Sequence, residues 1–297
     1  MALGRGRNMP LRADRTWWRT VASSFYDHLP TLRVAWKRLV LPAAMFVLLV
    51  YFLPKLTMFY LLCGIYDVSR NKPLNGEVLR RYFIGNGVLT WLLSPFNILI
   101  DVLTLPYVNK GVYRLQDLPA GHQYEIARLI DLAQAEKLVE RLESRAQKFQ
   151  RTMIFFKWYG TNVDTFLDIL AFHESWKWVQ TIGVSVFNRK NSTSKHFGYV
   201  RATLRVLYNL NDLADSSARI TVGDGTNVWR ENKLFIFDDT LMHQSFNETD
   251  EARYCLFVDI IRPAPLPLLL KPAIALVRVA ATTFKHVFYK NWKIIAR

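Results

Sequence analysis

Only two of the chain's 297 residues are cysteines, and they lie in different settings: Cys63 in an apolar run, Cys255 in a strand-like one. Two thiols so far apart exclude a disulfide framework and a cysteine-based metal knot. The sequence also lacks a GxxxxGK(S/T) phosphate loop, a GxSxG elbow, an HExxH pair and a paired CxxC. Those absences remove the signatures of P-loop nucleotide chemistry, the nucleophile elbow and zincin proteolysis. Acidic residues are scarce at both ends. Residues 1–38 hold eight basic and two acidic side chains, residues 260–297 hold seven basic and none acidic, and of the net +15 only +2 falls in between. The charge therefore belongs to two terminal attachments rather than to a central domain. No recognised nucleic-acid-binding motif accompanies it, and both basic ends border apolar runs, so no nucleic acid is expected as a partner.

What the chain does have is hydrophobic residues, 51% of it, with 14% aromatics, enough for a core and for something that leaves water. Leu39 to Tyr66 is almost purely apolar, interrupted by Lys55 directly after Pro54, and is long enough to span a bilayer. It starts too far in and runs too long for a signal peptide. A second run, Tyr82 to Tyr107, contains Gly85, Gly87, Pro95 and Asp101. It fits a second span, a re-entrant or interfacial segment, or a layer buried against the following domain. The positive-inside tendency keeps the first basic segment in the cytoplasm, and a hairpin bent at Pro54-Lys55 avoids exporting the charged loop 67–81. Residues 1–38 are thus read as a basic cytoplasmic N-terminus and 39–110 as membrane-associated apolar segments. At the other end, residues 264–297 read as a basic amphipathic helix on an anionic membrane surface. There Lys271, Arg278 and Lys285 recur every seven residues, with Ile274, Val277, Phe284 and Phe288 on other faces.

Between these attachments, residues 117–150 show helical spacing for one or two helices. From about Gln180 the period becomes strand-like: TIGVSVF, ATLRVLY, ARITVG, KLFIF and RYCLFVDII, separated by turn-rich stretches. Short strands with little helix between them predict an antiparallel sandwich or jelly roll. This β-rich half holds two histidines, His196 and His243, each at a strand end. Histidines so placed can converge on one mouth of a jelly roll and ligate a divalent iron, leaving positions open for a co-substrate and oxygen.

The segment Trp229–Pro263, WRENKLFIFDDTLMHQSFNETDEARYCLFVDIIRP, resembles the signature of the aspartyl/asparaginyl β-hydroxylase family. Its members are jelly-roll oxygenases dependent on Fe(II) and 2-oxoglutarate. Upstream, His196 precedes Leu204-Arg205 by the family's interval, and Ser185 lies on the preceding strand. FFKWYG (Phe155–Gly160) and Ser94–Pro119 resemble stretches that mark the bacterial lipid A 2-hydroxylases within this family. The resemblance implies a mainly β double-stranded β-helix (jelly roll, cupin-like) with flanking helices and N-terminal membrane segments, the oxygenase domain occupying residues 111–263. It implies His196 and His243 as iron ligands, and Arg253 as the partner of the far carboxylate of 2-oxoglutarate, with Ser185 adding a hydroxyl. Arg205 lines the pocket near the metal-side carboxylate or the substrate, and at least one of Asp238 and Asp239 holds a turn.

Three positions depart from the pattern. Gly198 stands where the lipid hydroxylases have the carboxylate of an H-x-D triad, as it does in the peptidyl members, which work with two histidines and water. Leu207 replaces the histidine of L-R-x-H, and Asn232 replaces a turn glycine. The resemblance implies a 2-oxoglutarate-dependent dioxygenase that hydroxylates a lipid acyl chain, with lipid A as the leading substrate, at the cytoplasmic face of the inner membrane. An ornithine-lipid or Asp/Asn hydroxylase and a non-catalytic membrane-bound binding module are the competing readings.

Overall fold

The computed structural model describes residues 40–146, 149–283 and 292–295, and the chain divides into two compact units, Met1–Met58 and Phe59–Arg297. The basic N-terminal segment, with His28, lies outside the described residues, as do Phe284, Lys285, His286 and Phe288 of the C-terminal attachment. The first apolar run is cut at Leu53, because the residue before a proline is driven out of the helical region. Helix α1 spans Leu41–Phe52 and α2 spans Pro54–Val68. No helix among the described residues is long and apolar enough to cross a membrane.

The second apolar run becomes a layer on the domain that follows. It holds the end of α3 (Gly76–Phe83), α4 (Val88–Leu92) and α5 (Ser94–Leu103), and α3 starts where the Asn75 side chain accepts a bond from the Val78 amide. Tyr82, Thr90, Ser94, Asn97 and Ile100 are buried, and Tyr82 meets Phe197 of the domain edge-on. One face of this run is thus buried against protein, while its Leu89, Leu92, Leu99 and Val102 are exposed.

After β1 (Val112–Tyr113) come α6 (Ala120–Ala135) and α7 (Leu138–Ala146), then β2 (Arg151–Trp158) and β3 (Thr161–Asn162). Eight strands follow: β4 (Val179–Phe187), β5 (Asn191–Ser192), β6 (Thr203–Asn209), β7 (Ala218–Val222), β8 (Gly225–Val228), β9 (Leu234–Phe237), β10 (His243–Asn247) and β11 (Arg253–Ile261). With β12 (Lys293–Ile294) near the end of the chain, the large sheet has the order β1-β9-β6-β11-β4-β2-β12, and the small one β5-β10-β7-β8. Strands β4 to β11 alternate between the sheets and turn back at the β7–β8 hairpin, which is the winding of a double-stranded β-helix. The mainly β jelly roll with flanking helices is therefore the observed fold. Strand β2 lies outside the strand-like segments read from the sequence because its two faces are both covered, so it shows no polar alternation. Its outward Ile154 and Phe156 pack with Ile126, Leu129 and Leu142 of the helices.

Helix α8 (Lys271–Thr283) follows a 3-10 turn at Pro267–Leu270 and packs on its own domain through Ala273 and Ile274, which join Ile100, Ala202 and Ile261. Its Arg278 donates to the Thr161 hydroxyl at 2.9 Å. Strand β12 (Lys293–Ile294) then returns parallel to β2.

Helices and jelly roll are joined by a buried ion cluster. Arg201, 1% exposed, bonds Asp67 of α2, Asp101 of α5 at 2.5 Å and, at 3.4 Å, Asp238 at the end of β9. Arg262 shares Asp101 at 2.6 Å and Arg70 shares Asp238 at 2.8 Å. Three arginines thus face three aspartates, so the cluster buries no net charge. Burial alone would raise the Asp238 carboxyl, but Arg70 and Arg201 outweigh it and hold it well below the usual range. Removing one member strands its partners in a dry site. Arg201→Ala is expected to cost about 3–5 kcal/mol of stability, read as a large fall in the thermal midpoint of the purified chain.

Candidate functional site

Two turns deliver the histidines to one place. His196 and His243 form an isolated antiparallel bridge, each backbone amide donating to the other's carbonyl at 3.0 and 2.9 Å, and their rings stand 4.2 Å apart, tilted by 52°. In each ring Nδ1 lies 2.8 Å from a carbonyl two residues upstream, Ser194 for His196 and Leu241 for His243. A carbonyl can only accept, so Nδ1 carries the proton and Nε2 keeps its lone pair, the arrangement a metal-binding imidazole needs. Burial is the first cause that holds both rings below the ordinary histidine range, with Arg205 adding to it at each and Arg151 at His196. Both are neutral at pH 7 and ready to donate.

A cavity of about 370 Å³ lies in front of them, within the range of small-molecule sites. Arg253 and Ser185 line it. Arg253 is 1% exposed, its guanidinium stands over the rings of Phe187 and Trp229, and its Nε and Nη1 have no hydrogen-bond partner among the described residues. Orphaned guanidinium donors inside a protein are costly unless a ligand satisfies them, and a carboxylate matches their fork. The Ser185 hydroxyl lies 3.4 Å from the Cys255 carbonyl, a long contact. Leu207 lines the same cavity in a cross-strand row with Phe257 and Phe235, an apolar patch in place of a donor.

Arg205 also lines the cavity, yet its charge is already matched: it meets Asp239 at 3.0 Å and Asp259 at 2.9 Å, beneath the Phe257 ring. Of the acidic pair, Asp238 holds its turn by accepting from the amide and hydroxyl of Thr240. Asp239 takes another part. A side chain at Gly198 would begin 2.5 Å from the Asp239 carboxyl carbon, so the acid absent at position 198 has its room filled by Asp239, delivered from the other turn. Among the described residues no group of three or more His, Cys, Asp or Glu side chains is placed to hold a metal. The two histidines therefore stand as a pair.

Sequence reasoning missed the residues that hold these turns. Asn86 donates to the Lys195 carbonyl at 2.7 Å, Thr90 to that of Gly198 at 2.8 Å, and Asn97 bonds both the Tyr199 carbonyl and the Arg201 amide. Asn71 accepts from the Met242 amide at 2.7 Å. The signal was present: Asn86, Thr90, Ser94, Asn97 and Asp101 recur every three or four residues through an apolar run, a polar stripe that bilayer lipid would not satisfy. His122 is buried, stacked on Trp178 and bonded to the Ile261 carbonyl, away from the cavity lining.

The family model for aspartyl/asparaginyl beta-hydroxylase matches residues 129–263. The ornithine lipid ester-linked acyl 2-hydroxylase of Rhizobium tropici is 31% identical over 218 residues, 64% of this chain and 72% of that enzyme. Among solved structures, an oxalate oxidase in complex with the substrate analogue glycolate aligns with 46% of this chain and 72% of its own, at 14% identity and a TM-score of 0.27. A 2OG-Fe(II) oxygenase family oxidoreductase from Burkholderia pseudomallei aligns with 29% of this chain and 45% of its own, at 11% and 0.24. At scores this low the structural likenesses carry no weight for function.

Two outcomes test the acidic side of the site. Gly198→Asp sets carboxylate against carboxylate and is expected to cost about 1–3 kcal/mol by overpacking, most of it recovered in the Gly198→Asp, Asp239→Ala double variant, both read from thermal unfolding. Asp239 itself is pushed up to about 7, by burial first, with Arg205 opposing and Asp259 and Asp238 reinforcing. A raised folded-state value stabilises fully below the unfolded carboxyl value and loses that contribution as pH climbs through about 7. Asp239→Asn should flatten the stability profile between about pH 4 and 7.

Proposed function

The chain belongs to the aspartyl/asparaginyl β-hydroxylase family, and from that premise we propose that it is a membrane-associated, Fe(II)- and 2-oxoglutarate-dependent oxygenase that hydroxylates an acyl chain of a membrane lipid. The observation that carries the reading is the pairing, in one cavity, of two histidines with free Nε2 atoms and a buried arginine with unsatisfied donors. These residues fit the two groups the family uses. His196 and His243 would hold the iron through Nε2, their Nδ1–H bonds to Ser194 and Leu241 fixing tautomer and ring angle. Arg253 would take the far carboxylate of 2-oxoglutarate, with the Ser185 hydroxyl beside it. When bound, iron and co-substrate supply the power to insert one atom of O₂ into an aliphatic C–H bond, the other leaving in succinate with release of CO₂. The chain's own residues orient and exclude: Leu207, Phe237 and Phe257 keep water from one side, and the Arg205–Asp239 pair places a matched charge at another.

The relative from Rhizobium tropici supports the ester-linked acyl chain of an ornithine lipid as substrate. The stretches Phe155–Gly160 and Ser94–Pro119 support the second reading, the acyl chain of lipid A. The apolar run from Leu39 and the basic ends support attachment to an anionic membrane, and a cytoplasmic co-substrate supports the inner face of the inner membrane. Lipid extracts from cells with and without the gene decide between the substrates. An acyl chain heavier by one oxygen atom, dependent on the gene, is expected in ornithine lipid and would move the assignment if found in lipid A. Purified His243→Ala is expected to release no succinate above background, and undiminished turnover in that variant would remove the iron assignment.

A further inference from the structure

Resting on that reading, we propose that Arg151 and helix α8 form the substrate half of the cavity, Arg151 taking an anionic oxygen of an amphiphile while Ile274 and Val277 take its hydrocarbon chain. The register places Arg151 on β2 and Arg253 on β11 on either side of Phe187 on β4, in one row across the sheet. Both arginines line the cavity, yet they differ in depth: Arg253 is almost fully buried, whereas Arg151 is half-buried. The Arg151 guanidinium stands 5.7 Å from the ring of Trp292, and no ion pair or side-chain hydrogen bond engages it among the described residues. Arg70, Arg201, Arg205 and Arg262, by contrast, are each matched by an aspartate. Half-buried cations left unmatched at a cavity wall are suited to an anion that arrives from outside. Burial also lowers the Arg151 pKa, as expected of a charge short of water and partners.

The apolar half comes from the C-terminal attachment. Ile274 and Val277, one turn apart on α8, line the cavity, with Val200 and Ala202 also in its wall. The sheet row therefore offers two cations, Arg151 the shallower, and α8 offers hydrocarbon, while the two turns deliver the histidines to the same cavity. An amphiphile with an oxyanion near the start of its chain matches that division. 2-Oxoglutarate carries the same oxyanion chemistry, but it brings no hydrocarbon chain for α8 to hold.

The test uses the full chain in amphipol with Mn(II), which keeps turnover silent, and two probes of equal chain length, tetradecanoate and tetradecanol. Wild-type protein is expected to bind the carboxylate about tenfold more tightly than the alcohol. Arg151→Gln should erase that preference while its 2-oxoglutarate titration stays that of the wild type, and Val277→Trp should weaken both probes. An Arg151→Gln protein that keeps the preference, or that loses 2-oxoglutarate affinity instead, overturns the proposal, as does unchanged probe binding in Val277→Trp. Unchanged melting of both variants guards against misfolding. A wild-type chain that takes up neither Mn(II) nor 2-oxoglutarate refutes the enzymatic reading by itself, whereas the head-and-chain site is judged on the paired probes.

Discussion

Arg201 ties the molecule together. It lies five residues after His196, and its partner Asp238 lies five residues before His243, so one ion pair joins the bases of the two turns that carry the histidines. Asp67 and Asp101 extend the tie to α2 and α5. Because the cluster is balanced, its members are far costlier to separate than to bury together. That asymmetry gives the two turns, and the two histidines they carry, one low-energy arrangement.

Around this anchor, charge is graded across the cavity. Among the described residues, the Arg205 cation is matched by two aspartates, whereas a fully buried one at Arg253 and a half-buried one at Arg151 have no acidic partner. The histidines stay neutral because burial opposes their charging and nearby cations add to the opposition. Neutral imidazoles keep their lone pairs free of competing protons at neutral pH.

The substitution at position 198 shows how a local sequence departure and a spatial compensation differ. Glycine there looks like the loss of a ligand when read along the chain. In the fold, the Asp239 carboxylate fills the space beside it, and the two positions constrain each other although they are 41 residues apart. The second apolar run gives the same lesson with a different cause. Its hydropathy suits a bilayer as well as a protein surface, and its polar stripe, Asn86 to Asp101, marks the face that meets protein.

The sequence by itself determined the β-rich half, its turns, the pair of histidines at strand ends and the arginine ten residues beyond the second, because alternation and turn chemistry are local properties. It also located the excess charge at the two ends. Tertiary structure alone decided that α3 to α5 and α8 close over the jelly roll, that Arg205 is taken by two aspartates while Arg151 and Arg253 meet none among the described residues, and that β2 belongs to the sheet. Those outcomes depend on which side chains meet across long loops, and long-range pairing of buried charges leaves no period in the sequence.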